Sequence, residues 1–227
     1  HQDLPYYSDA YIKNIFTVSH PVSYNGNYVQ PNYKSEYMNV VGGCRVTTDT
    51  PDTSRRHVHF LGASHVYGYG VEDKYTLPSC LQRLLNNKYP DIFSVINHGV
   101  TGLPVSPMLQ KASTINISEN DVVVVNFVYR KWIVDFFAFN YYPYIDLQYV
   151  FQSPHHYGEV FSDVGHLNYR GNTAVAAKIS DFLSANIIAP GSKPDVSEYI
   201  DTESVKRHSI ISAPGFTEYI DTLKTYR

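Results

Sequence analysis

Residues 57–85, HVHFLGASHVYGYGVEDKYTLPSCLQRLL, read as a buried strand, a sharp turn and a helix. The strand is the short apolar run 57–61. The turn is Gly62-Ala63-Ser64, and a loop rich in glycine and tyrosine follows, Tyr67-Gly68-Tyr69-Gly70. Beyond it Leu77, Leu81, Leu84 and Leu85 recur at helical spacing. Such a unit sets Ser64 at the carboxyl end of a parallel strand, where ligands and chemistry gather in α/β sheets. A plain βα loop would also hold a serine there, because small residues fit tight turns.

Outward from this unit, strand and helix signals alternate. Phe93-Ser94-Val95-Ile96-Asn97 reads as a second buried strand, ending in the turn-prone His98-Gly99-Val100-Thr101-Gly102. A weak helical stretch follows around 108–112. Residues 121–127, DVVVVNF, form the clearest strand, a β-branched run suited to burial on both faces of a parallel sheet. Residues 132–139 are apolar enough for a helix, and 140–151 make an aromatic loop or lid. Residues 161–168 are a loop, and a helix runs from Gly171 to about Ile188 with Val175, Ile179, Phe182 and Leu183 on one face. The pattern predicts an α/β fold, a three-layer α/β/α doubly wound parallel sheet of flavodoxin-like type. It occupies 56–190. Residues 1–55 are an irregular Tyr/Asn-rich lead-in packed on it, with short strand-like runs flanking Gly42-Gly43, a hairpin dipeptide. Residues 191–227 are a linker and an amphipathic helical tail, a candidate joint to a further domain.

Composition narrows the function classes. Of 227 residues 43% are hydrophobic and 17% charged, which fits a folded globular domain. A net charge of −3 offers no electrostatic footprint for nucleic acid or an anionic membrane. No apolar run approaches the ~18 residues needed to span a bilayer. Cys44 and Cys80 form neither a disulfide framework nor a metal pattern, so both are expected reduced and buried. With no export signal in view, this leans towards a cytoplasmic location. The 21 tyrosines suit sugar-binding or wet protein surfaces, or reflect a bias of the source proteome.

A serine at a strand end becomes a nucleophile only if a base takes its proton and donors await the oxyanion. His166 is the candidate base. Asp163, three residues before it, can reach back to one imidazole nitrogen, fix the tautomer and support the imidazolium. The backbone N–H groups of Ser64 and Gly102 can form an oxyanion hole. Among the other histidines, His65 and His98 are candidates for substrate contact, and His57 and His59 alternate along the first strand in a structural role. His155 and His156 sit in a polar loop where no further ligands assemble. No metal and no cofactor is expected.

The layout resembles the SGNH, or GDSL, hydrolase family of esterases, lipases and carbohydrate O-acyl modifying enzymes. Phe60-Leu61-Gly62-Ala63-Ser64 with Tyr67-Gly68-Tyr69-Gly70-Val71-Glu72-Asp73 is similar to its first block, whose serine is the nucleophile. Val95-Ile96-Asn97-His98-Gly99-Val100-Thr101-Gly102 resembles the second, whose last glycine gives an oxyanion N–H. Asp163-Val164-Gly165-His166-Leu167-Asn168 resembles the final Asp-x-x-His block. The blocks fall in family order over about 57–188. Two positions depart from it. Ala63 replaces the aspartate of Gly-Asp-Ser, and the Gly-x-Asn-Asp block is represented by Val128-Tyr129-Arg130-Lys131. Arg130 stands near the asparagine position and can donate from its guanidinium, whereas Asn126 comes too early. Loss of one such donor costs roughly 3–4 kcal/mol, about a hundred- to a thousand-fold in rate.

The resemblance implies a serine esterase or O-acyltransferase, and the aromatic segment with Tyr141 and Tyr142 suggests a platform for a sugar ring. The expected substrate is a small O-acyl ester of a carbohydrate or cell-surface glycan precursor. The alternative is a catalytically impaired relative, a carbohydrate-binding or scaffolding domain of a larger enzyme. The altered third block favours it; the retained Ser64, Asp163 and His166 oppose it.

Overall fold

The computed structural model of the chain describes residues 9, 14, 22–24, 27–126, 145, 147, 160 and 166–185. The chain divides into two compact units, one of His1–Phe127 with Val150–Asp181 and one of Val128–Tyr149 with Phe182–Arg227. Described residues of the second unit are 145, 147 and 182–185. The candidate helix at 132–139, the aromatic segment 140–144 and the tail from 191 lie outside the described residues.

The first unit carries a six-stranded mixed sheet and a separate hairpin of β1 (Val22–Tyr24) and β2 (Asn27–Val29). The sheet contains β3 (Tyr33–Lys34), β4 (Asn39–Val41), β5 (Cys44–Arg45), β6 (Arg56–Leu61), β7 (Phe93–Asn97) and β8 (Val122–Val125), in the order β3-β4-β5-β7-β6-β8. The trio β7-β6-β8 is parallel: Val58 pairs with Val95 on one side and Val122 on the other. The chain leaves β6 for one neighbour and returns past it to the other. The loop after β6 therefore lies at a reversal of winding direction, the favoured ligand position of open α/β sheets.

The sheet is mixed, not wholly parallel, because the lead-in joins it. Strands β3, β4 and β5 are antiparallel, and β5 meets β7 where Arg45 faces Asn97. The lead-in thus contributes half the strands. Gly42 and Gly43 close the β4–β5 hairpin with φ of +60° and +79°, values that a two-residue turn demands at both central positions. Because β5 has only two residues, most of that edge of β7 has no strand beside it. Gln82 fills the gap: its Nε2 donates to the Phe93 carbonyl at 2.9 Å and its Oε1 accepts from Val95 N–H at 2.6 Å.

Four α-helices and one 3₁₀ turn (Asp73–Tyr75) are described with their bounds. The α-helices are α1 (Ser64–Tyr67), α2 (Leu77–Lys88), α3 (Val105–Thr114) and α4 (Tyr169–Leu183). Thr76 caps α2, its hydroxyl accepting from Ser79 N–H, and Pro78 sits in the first turn, where no N–H is missed. Leu77, Leu81 and Leu85 are fully buried on the face that packs against β7. Leu61, Val100, Leu103 and Met108 form a second patch of core beneath the loops after β6 and β7. Helix α4 begins two residues before the position predicted from its apolar spacing. Asn168 caps it, Oδ1 accepting from the N–H groups of Arg170 and Gly171.

Gln82→Leu is expected to lower stability by about 2–4 kcal/mol, since it leaves a buried N–H and a buried carbonyl unmatched. Urea unfolding checks this; a change within about 0.5 kcal/mol, the spread of ordinary surface substitutions, would show that water satisfies the edge.

Candidate active site

Strand β6 delivers Ser64 at the first position of α1, just past the carboxyl end of the middle strand of the parallel trio. Its Oγ lies 2.9 Å from Nε2 of His166, a residue 102 positions away that reaches it from the segment before α4. Both side chains are partly exposed, so the pair is open to a ligand. The Asn168 cap fixes the chain two residues after His166, and Asn172 ties α4 back by donating from Nδ2 to the Tyr75 carbonyl at 2.9 Å.

Two aromatic rings lie against the His166 imidazole. Tyr69 approaches to 4.9 Å between ring centroids and His65 to 5.3 Å. His65 therefore borders the pair, and Tyr69 is a neighbour that sequence reasoning did not single out. Its place in the glycine-rich loop was the available signal.

The loops after β6 and β7 run side by side. His98 N–H donates to the Phe60 carbonyl and Val100 N–H to the Gly62 carbonyl. Asn97 locks them, donating from Nδ2 to the Val66 carbonyl and accepting at Oδ1 from Gly99 N–H, both at 2.9 Å. The approach is so close that a Cβ on Gly99 would stand 2.2 Å from the Tyr67 nitrogen, which only glycine permits. Gly102 is exposed at the end of this loop. Neither the Ser64 nor the Gly102 N–H donates to another described residue, so both donors remain for a ligand.

No family model matches this chain, and neither does any curated protein.

The remaining expected site residues divide in two. Asp163, Arg130, Tyr141 and Tyr142 lie outside the described residues. His98 is described and nearly buried. It is only 8% exposed, its Nε2 lies 3.0 Å from His59 Nδ1, and its Nδ1 lies 3.5 Å from Cys44 Sγ. Burial, with the Lys111 charge and His59 adding to it, holds its imidazole down to about 3, so it is neutral. Cys44 and Cys80 are both free thiols; Cys80 is buried, Cys44 only partly so, and burial raises both above the usual thiol range. Asn126 borders the serine turn: its N–H donates to the Leu61 carbonyl at 2.8 Å, directly after β8.

Among the described residues, one set of side chains has the make-up of a metal site: His57, His59 and Asp121, whose ligand atoms all lie within 4.8 Å of one another. It belongs to the amino ends of β6 and β8, away from Ser64. No described helix is long and apolar enough to cross a membrane.

Proposed function

We propose that the chain is a serine-dependent acyl ester hydrolase or O-acyltransferase of SGNH type, built on a three-layer doubly wound α/β fold. The reading rests above all on the 2.9 Å contact between Ser64 Oγ and His166 Nε2 at the carboxyl end of β6. Ser64 attacks an ester carbonyl while its proton passes to Nε2. The tetrahedral oxyanion is held by the N–H groups of Ser64 and Gly102. Collapse expels the alcohol, which takes the proton from His166 and leaves an acyl group on Ser64. Water, or a sugar hydroxyl, activated by the same imidazole then removes it. Asp163 holds the other imidazole nitrogen in the required tautomer.

The substrate class proposed is a small O-acetyl ester of a carbohydrate or glycan precursor. Tyr69 and His65 beside His166 offer flat, half-polar faces to a sugar ring. A fluorophosphonate tests the nucleophile without assuming a substrate. Intact mass should rise by one adduct per chain, and not at all for Ser64→Ala. Absence of an adduct on folded protein would discard the triad mechanism and favour a carbohydrate-binding domain that keeps the fold.

A further inference from the structure

The geometry points to a second site on this chain, a divalent transition-metal site made by His57, His59 and Asp121 at the opposite end of the sheet from Ser64. Alternation along β6 puts His57 and His59 on one face. Asp121, immediately before β8, comes alongside because β8 is the parallel neighbour of β6. His57 Nδ1 lies 3.4 Å from Asp121 Oδ1, and His59 Nε2 lies 3.5 Å from Asp121 Oδ2. Ligands about 2.0–2.2 Å from a tetrahedral zinc stand about 3.3–3.5 Å apart, and each imidazole reaches that separation from a different oxygen of the Asp121 carboxylate. The third pair closes within 4.8 Å.

The independent observation is an orphaned buried nitrogen. The His59 side chain is 5% exposed, and its Nε2 has no hydrogen-bond partner among the described residues. At 3.5 Å its approach to Asp121 Oδ2 is longer than an ordinary hydrogen bond. A buried polar atom left unmatched is costly, and a bound cation would use its lone pair. The supporting shell suits that use. Nδ1 of His59 lies 3.0 Å from Nε2 of His98; donation of the Nδ1 proton to His98 leaves the Nε2 lone pair aimed at Asp121. The carboxylate is itself oriented, Oδ1 accepting from His57 N–H at 2.7 Å and Oδ2 from Ser118 N–H at 2.8 Å.

Two imidazoles and one carboxylate select a borderline first-row ion such as zinc over magnesium or calcium, which prefer all-oxygen shells. His57, 43% exposed at its side chain, gives the ion its route in, and three protein ligands leave a fourth position for water. The site is not part of the serine chemistry. His57 and His59 lie within β6, whereas Ser64 follows the turn beyond that strand's carboxyl end. The site's effect is to clamp the starts of β6 and β8 together.

The test is titration of the full, tag-free chain with zinc by calorimetry, and with cobalt(II) by visible absorption. One ion per chain is expected, with the absorption bands of a low-coordinate cobalt centre. His57→Ala, at a half-exposed position, and Asp121→Asn should each weaken zinc binding at least ~10-fold, while His166→Ala binds as the wild type does. Should Asp121→Asn fail to fold, His57→Ala decides alone, with circular dichroism reporting its fold. No saturable binding by the wild type overturns the proposal. So does binding that His57→Ala leaves unchanged, or binding that His166→Ala abolishes.

Discussion

Ser64→Ala and His166→Ala are each expected to lower kcat/KM on a small acetyl ester by about 10⁴–10⁶-fold, and the double variant to be no slower than either alone. The contact between the two side chains is the reason. A serine hydroxyl is a poor nucleophile until its proton has somewhere to go, and Nε2 of His166 stands 2.9 Å away to receive it. Removing the imidazole leaves the hydroxyl unactivated; removing the hydroxyl leaves the imidazole with nothing to activate. Each loss empties the same step, so the second costs nothing further. Neither substitution threatens the fold, since both side chains are partly exposed. Steady-state kinetics of the three variants checks this. Losses of about 10-fold each that multiply in the double variant would mean that the two groups act independently. A full loss in Ser64→Ala beside a mild one in His166→Ala would point to another base.

What could be read ahead of the structure was what is local. The run 57–61 and the leucine spacing each follow a short-range pattern, and β6 and α2 lie where those patterns put them, while the turn at Ser64 opens the short helix α1 that the loop reading did not foresee. The same holds for β7 and for the core of β8. The serine–histidine pair was legible because each member falls at the end of a recognisable element. Contacts made across the sheet were not legible. Strands β3, β4 and β5 have two or three residues each, too few for alternation to show, and only pairing with β7 makes them part of the sheet. His98 reads as a loop residue because it follows a strand and precedes a glycine. Its burial depends on His59 and Cys44, 39 and 54 positions away. His57 and His59 read as structural residues alternating along one strand; Asp121 comes beside them through the β6–β8 pairing, which spacing along the chain does not reveal.

Arg45→Met is expected to destabilise the protein by about 3–5 kcal/mol, the cost of leaving one member of a buried ion pair alone. Arginine is among the residues most often exposed, yet Arg45 is 1% exposed. Its Nε donates to Asp73 Oδ1 at 2.7 Å. The two terminal nitrogens donate to the carbonyls of Gly68 at 3.0 Å and Val71 at 2.7 Å, and the guanidinium lies 5.1 Å from the centre of the Tyr67 ring. One side chain from β5 thereby gathers the loop that follows Ser64. Methionine fills much of the volume but supplies none of the donors, so the Asp73 carboxylate keeps only Asn39, which donates from its backbone N–H and from Nδ2. At this chain length the loss corresponds to a fall in Tm of roughly 6–20 °C. Adding Asp73→Asn should recover part of it, because the stranded charge is then gone, and a thermodynamic cycle of the four proteins measures the coupling. In both variants the Val71 carbonyl loses its Arg45 donor and the Gly68 carbonyl keeps only the Val71 N–H at 3.3 Å. Amide exchange in the segment containing them should therefore remain fast even where the double variant regains stability, and Tyr69 should lose its register against His166. If Asp73→Asn instead deepened the loss, the carboxylate would be stabilised by its Asn39 donors alone and the clamp would owe little to its charge.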